Sequence, residues 1–140
     1  GPGGYAASLK GAKNELKTAL IEANLLGGTC LNRGCIPTKL FLGATGPIAG
    51  LKAQQRLRLA SGEIKIDLKK LQQRKKSLIS ATHRAMTANL KKLGVDLISG
   101  QARLLNSSTL EVSGADKQKI EFDHLIIATG SKNATLPGLV

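Results

Sequence analysis

The sequence predicts an α/β fold: a parallel sheet with flanking helices, a small antiparallel β appendage and one long basic helix. Three observations predict it. A helix-like run is followed by a strand-like run within the first 22 residues. A stretch with apolar residues at helical spacing occupies the middle. Short strand signals separated by turns fill the last third. The 140 residues are enough for one domain with one core. Aromatic residues make up 2% of the chain, so Leu, Ile, Val and Ala must build that core.

The elements follow in order. Gly1-Pro2-Gly3-Gly4 is turn-like, and residues 5–13 then read as a helix. Asn14-Glu15 follows it; Asn tolerates the left-handed conformation and suits the cap. Residues 16–22 read as a buried strand, with Thr18, Leu20 and Ile21 suited to a sheet and Glu22 at the end. Gly27-Gly28 breaks the chain. Residues 38–51 are helix-like with glycine interruptions, and 54–62 form a polar connection. Ile64-Lys65-Ile66 alternates as a short extended piece. Asp67 is placed to cap a helix running to Leu93, and Gly94 is a natural stop. The apolar stripe of that helix is Leu68, Leu71, Leu78, Ala81, Ala85 and Ala88. Residues 95–98 give a strand signal that continues past Gly100 to Leu105. Residues 109–112 and 119–122 flank a Ser113-Gly114-Ala115-Asp116 turn and predict a hairpin. Leu125 to Ala128 predicts a short buried strand ending in Thr129-Gly130, and Pro137-Gly138 closes the readable part.

Charge and cysteine content bound the function. The net charge is +12, and most of it lies between Lys52 and Lys92, where Glu63 and Asp67 oppose twelve Lys and Arg residues. Such a block suits nucleic acid, an anionic membrane or an acidic protein; a solvated helical face is the plainer reading. No run of apolar residues is long enough to predict a transmembrane helix. No basic-then-apolar signal opens the chain, so secretion is not expected. Two cysteines in that setting suggest a redox or catalytic pair before a structural staple.

Those cysteines sit in Gly27-Gly28-Thr29-Cys30-Leu31-Asn32-Arg33-Gly34-Cys35-Ile36-Pro37-Thr38-Lys39. In a regular helix, residues five apart have Cα atoms roughly 8.6 Å apart. A disulfide needs less than about 7 Å. Closure therefore requires a departure from helix. Gly34 permits one, and Pro37 loosens the same turn. Thr29 and Asn32 can supply hydrogen bonds there. A short strained disulfide is more oxidising than a structural one and can cycle. Lys39, one helical turn beyond Cys35, can raise the thiolate fraction. Two free cysteines remain an alternative on spacing alone. Zinc needs about four ligands, and His83 and His124 lack ligand spacing to the pair.

The full string resembles the redox-disulfide motif of the class I pyridine-nucleotide disulfide oxidoreductases. Its Thr-Cys-Leu-Asn-x-Gly-Cys-Ile-Pro form is most similar to the dihydrolipoamide dehydrogenase branch. The glutathione and mercuric reductase branches, which usually carry Val at the positions of Leu31 and Ile36, are the alternative. The resemblance implies a FAD-binding, Rossmann-like domain and a path of electron pairs: protein-bound dihydrolipoamide to the disulfide, the dithiol to FAD, and FAD to NAD⁺. It implies Cys30 as the thiol that attacks substrate and Cys35 as the thiol that faces the flavin. Lys39 matches the family's lysine beside the flavin. Thr38 stands where the family often has Ser.

The same resemblance assigns cofactor contacts. Gly1 and Gly4 match the second and third glycines of a G-x-G-x-x-G turn that brings backbone N–H groups to a pyrophosphate. Glu22, eighteen residues after Gly4, matches the strand-end acid that binds the adenosine ribose. Gly28 and Thr29, just before Cys30, join the set. Ser99-Gly100-Gln101-Ala102 matches a turn whose backbone meets the adenine, which assigns Gly100 and Ala102. Ala128, Thr129 and Gly130 match the turn that packs beside the pyrophosphate. Taken without the resemblance, these segments are an ordinary turn, a strand end and strand glycines.

By the family's pattern, residues 1–140 read as an incomplete FAD-binding domain, without the first strand or the downstream NAD-binding and interface domains. Weak or absent FAD binding by this piece is the expectation. The family's general-base histidine matches neither His83 nor His124. The implied partners are the lipoyl domain of a 2-oxoacid dehydrogenase or glycine cleavage complex and, in the complete protein, a second subunit. The implied compartment is the cytoplasm or the mitochondrial matrix. A basic nucleic-acid-binding module is the competing class. It lacks interleaved aromatics and leaves the cysteine string unexplained.

Overall fold

The computed structural model describes residues 1–136 and 138. Pro137, part of the expected closing turn, lies outside the described residues. The chain forms two compact units. The first joins Gly1–Gly28 to the described residues from Leu90 onward, and the second is Thr29–Asn89.

The first unit begins with helix α1, Pro2–Lys13. The expected glycine turn is instead the helix start: Gly1 is the N-cap and Pro2 opens the first turn, where its missing N–H costs nothing. The helix ends in a Schellman motif. Leu16 N–H donates to Gly11 O (3.1 Å) and Glu15 N–H to Ala12 O (3.0 Å). Glu15, not Asn14, takes the left-handed conformation, with φ 62° against −93° for Asn14.

Strand β1, Ala19–Glu22, is shorter and less buried than expected, because the α1 cap occupies the residues before it. It pairs in parallel with β2, Asp96–Ser99, with Ala19 opposite Asp96 and Glu22 opposite Ser99. The expected strand through Gly100 is split. β3, Gln101–Leu104, leaves the parallel pair and joins the β4–β5 hairpin, Thr109–Ser113 and Gln118–Glu121, in an antiparallel sheet ordered β3-β4-β5. Alternation along β4 turns Leu110 and Val112 inward. With Ile98 they form the core, and Ile21, Ile120 and Phe122 pack against it.

The expected strand at Leu125 to Ala128 does not form. These residues pair with no strand, and Ile126 and Ile127 are 70% and 69% exposed. Apolar β-branched residues favour a strand only where a neighbouring edge accepts them.

The second unit is helical. α2, Gly28–Asn32, is followed by α3, Cys35–Arg56, and α4, Leu68–Lys92. α3 is longer than expected and continuous through Pro47 and three glycines. Pro37 does not loosen it. It is the third helical residue, where the N–H would be unpaired in any case. Ile64-Lys65-Ile66 forms no strand. Asp67 caps α4 as expected, its Oδ1 accepting Lys70 N–H at 3.0 Å. Gly94 (φ 71°) ends α4 in a second Schellman motif. The half-buried face of α4 is Leu71, Lys75, Leu78, Ile79, Thr82, His83 and Met86. Leu68, Ala81, Ala85 and Ala88 of the expected stripe are exposed; beside Ala81 and Ala85 the larger Thr82 and Met86 take the packed face. Among the described residues, no helix is long and apolar enough to cross a membrane.

Candidate functional site

In the second unit, the segment from Thr29 to Cys35 builds one site. α2 stops at Asn32, and the N–H groups of Arg33 and Gly34 both donate to Thr29 O at 2.8 Å. This folds the chain back over α2. A Cβ on Gly34 would lie 3.3 Å from Thr29 O and 3.7 Å from Cys30 Cα. A side chain there would press on the Thr29 carbonyl, which would have to give by a few tenths of an ångström. Gly34 then caps α3, its carbonyl accepting Thr38 N–H at 3.0 Å, so Cys35 becomes the first residue of that helix. The departure from helix expected between the cysteines is therefore at Gly34.

Both cysteines are free thiols; Cys30 is half-buried and Cys35 exposed. The neighbouring Cys35 thiol, as a hydrogen-bonding partner, is the main reason the Cys30 thiol titrates above the ordinary cysteine range. Burial and the like charge of a Cys35 thiolate push it the same way. The Cys35 backbone N–H and the Lys39 charge pull it down without reversing the shift. Lys39 and Thr38 are exposed in the first turns of α3, and Thr29 lies in the first turn of α2.

The first unit holds a separate cavity of about 500 Å³ at the carboxyl ends of β1 and β2. Ala23, Asn24 and residues 99–101 and 113–115 line it. The end of a parallel sheet is where α/β folds take up nucleotides. Glu22 closes β1 here. Its carboxylate accepts Asn24 N–H at 3.1 Å and lies 3.5 Å from the Gly1 nitrogen, and its carbonyl accepts Gly100 N–H at 3.1 Å.

Three of the glycines assigned to the cofactor make close approaches in this unit. A Cβ on Gly4 would touch Leu20 Cδ1 (3.4 Å) and Ala128 Cβ (3.5 Å), so α1 packs tightly on β1 and on the segment expected at the pyrophosphate. Gly28, at φ 60°, sits against Gly1: a Cβ there would come within 2.6 Å of Gly1 Cα. A Cβ on Gly100 would collide with Ser113 O and Val112 Cγ1. Of the other expected contacts, Ala102 is paired with Val112 and does not line the cavity. Thr129 and Gly130 are exposed.

Residues that sequence reasoning missed are in the hairpin turn. Asp116 Oδ2 accepts Ser99 N–H at 2.7 Å, and Asp116 N–H donates to Ser99 O at 3.1 Å. These two hydrogen bonds fix the cavity wall. The sequence showed a Gly-Ala-Asp turn, but not its target seventeen residues earlier. His83 is half-buried, and its Nε2 is enclosed with no hydrogen-bond partner among the described residues. No cluster of His, Cys, Asp or Glu among the described residues could hold a metal ion.

Known proteins align with this arrangement. The family described as pyridine nucleotide-disulphide oxidoreductase matches residues 1–139. A dihydrolipoyl dehydrogenase of Trypanosoma brucei brucei is 41% identical over 144 residues, covering 99% of this chain and 30% of its own length. That of Pseudomonas aeruginosa is 37% identical over 144 residues, covering 98% and 31%. The crystal structure of LpdA from Mycobacterium tuberculosis superposes with a TM-score of 0.81 at 30% identity, covering 98% of this chain and 31% of that one. The HOCl-induced flavoprotein disulfide reductase RclA from Escherichia coli gives 0.74 at 26% identity, covering 95% and 27%. The chain spans about 30% of the length of the curated relatives it matches.

Proposed function

The chain belongs to the pyridine nucleotide-disulphide oxidoreductase family, and from that premise we propose that it carries the redox pair of a dihydrolipoamide-oxidising flavoenzyme. One observation supports this most: a tight turn at Gly34, with two N–H groups sharing the Thr29 carbonyl, sets Cys30 on α2 and Cys35 at the first residue of α3 as neighbours, with Cys35 shifting the titration of Cys30.

The chemistry of the pair is a two-electron exchange. With Cys30 and Cys35 joined, a dihydrolipoyl dithiol attacks Cys30, and Cys35 leaves. The second substrate thiol then displaces Cys30. The substrate sulfurs join and lose two electrons and two protons; the Cys30–Cys35 bond breaks and takes them up. The half-buried, raised-pKa thiol at Cys30 favours the protonated product and calls for a base to deprotonate it.

The residues present fit FAD. A cavity of about 500 Å³ with an acid at its strand end has the size and chemistry for the adenosine portion. Glu22 would hold the ribose, the backbone of Gly100 the adenine edge, and the start of α1 at Gly1 and Gly4, beside Ala128, the pyrophosphate. Gly28, Thr29, Lys39, Ala102, Thr129 and Gly130 take their assignment from family likeness alone. Bound FAD supplies a two-electron acceptor, with NAD⁺ as the final oxidant. A lipoyl domain of a 2-oxoacid dehydrogenase or glycine cleavage complex is the proposed donor, and a homodimer the proposed assembly.

The test is a thiol count. The chain, oxidised to its Cys30–Cys35 disulfide, is treated with dihydrolipoamide and freed of reductant. Both thiols should reappear, faster than with glutathione at equal concentration. Cys35→Ser should release no thiols because it cannot form the disulfide. A disulfide inert to dihydrolipoamide contradicts the proposal.

A further inference from the structure

α4 separates charge as sharply as it separates polarity. Its half-buried side carries Leu71, Leu78, Ile79 and Met86. Its opposite side carries Lys69, Lys70, Arg74, Lys76 and Arg84, all exposed. At about 100° per residue these five cations fall within one face. Residues 68–92 contain no Asp or Glu. Between the cations stand Gln73, Ser77, Ser80 and Ala81, which neither neutralise nor cover them.

Little of this charge is compensated. Lys70 pairs with Asp67 at 3.7 Å in an exposed contact. Arg84 donates to Ser80 Oγ at 2.8 Å, which orients the guanidinium without neutralising it. Among the described residues, Lys69, Arg74 and Lys76 make no ion pair. Like charges at helical spacing cost helix stability, and an anionic surface laid over them removes that cost. Lys75 behaves differently. Its ammonium lies 5.8 Å from the Phe41 ring centroid and ties α4 to α3. Phe41 is six residues beyond Cys35, roughly 9 Å along that helix. The basic face and the redox pair therefore belong to one helical unit.

We infer that the exposed face of α4 docks an acidic protein surface, namely that of the carrier presenting the dithiol to Cys30 and Cys35. This rests on the dithiol reading above. A redox pair reduced by a protein-borne group needs a surface that brings the carrier in, and opposite charge raises encounter rates. Single-stranded nucleic acid fits poorly, because the face has no aromatic side chain for bases to stack on. A lipid surface also fits poorly, because the apolar side chains of α4 lie on its half-buried side.

The test compares two peptides carrying dihydrolipoyl-lysine, one flanked by glutamates and one by glutamines, with free dihydrolipoamide as control. Each reduces the oxidised chain. At low salt the glutamate peptide should react about tenfold faster than the glutamine peptide. High salt should erase the difference. Lys69→Gln/Arg74→Gln/Lys76→Gln/Arg84→Gln should also erase it, leaving the free dihydrolipoamide rate unchanged. Equal rates for the two peptides on the unmodified chain overturn the inference. Failure of all three reductants contradicts the dithiol reading instead. Fluorescence anisotropy of the labelled glutamate peptide then decides docking alone: binding lost in the quadruple variant supports it, and no binding overturns it. Tighter binding of a DNA duplex of similar length than of the glutamate peptide also overturns it.

Discussion

The cysteine turn and the cavity beside Glu22 are built in opposite ways. The turn is local: seven consecutive residues, Thr29 to Cys35, with one glycine and one shared carbonyl, bring two thiols together. The cavity is assembled from three segments spread over more than ninety residues, and holds its shape because β strands and the Asp116 clamp fix them. Function that depends on the turn should survive changes elsewhere, whereas function that depends on the cavity is exposed to every strand that frames it.

The largest effect that would sharpen this contrast is at Gly100. In Gly100→Ala the new methyl meets the Ser113 carbonyl and the fully buried Val112. Backbone must move, at a cost of about 2–4 kcal/mol in denaturant unfolding. AMP binding should vanish while Cys30 alkylation keeps its pH dependence. A change in both would mean the two regions are not independent.

Asp116→Ala is the next largest. It removes the acceptor for Ser99 N–H and should cost about 1 kcal/mol of stability, since the freed N–H can meet water. AMP affinity should fall by about tenfold, and Asp116→Asn, which keeps an acceptor oxygen, should restore most of it. Equal affinities in all three proteins would remove Asp116 from the cavity wall.

What was legible in the sequence follows the same division. Gly34 as the break, Asp67 as the cap and Gly94 as the helix stop could all be read, because each acts on residues within one turn of itself. Glu22 was legible as a strand end. The Asp116 clamp was not, because its partner is reached only after a hairpin forms. Ile126 and Ile127 look like a buried strand, yet nothing in their own chemistry says whether a sheet edge accepts them. On α4, Ala85 and Met86 compete for the packed face, and the larger side chain takes it.

The smallest effect concerns helix ends. Gly94 and Glu15 occupy equivalent left-handed positions in two Schellman motifs, and Arg58 (φ 59°) fills a third. A side chain there costs about 1 kcal/mol relative to glycine. Glu15→Gly and Arg58→Gly should each raise the unfolding midpoint, while Gly94→Ala should lower it. A fall for either glycine variant would show that those side chains offset the strain.

The pH dependence of the thiols carries the central claim. A folded-state pKa above the unfolded value means the protonated Cys30 contributes stability below the unfolded pKa, and this is lost as pH rises through the folded pKa. Site-resolved alkylation, read by mass spectrometry from neutral to alkaline pH, reports that titration directly. In the unmodified dithiol, Cys30 should deprotonate above the ordinary cysteine range, and in Cys35→Ala its inflection should move to lower pH. An inflection at the same pH in both proteins would mean the sulfurs are not in contact.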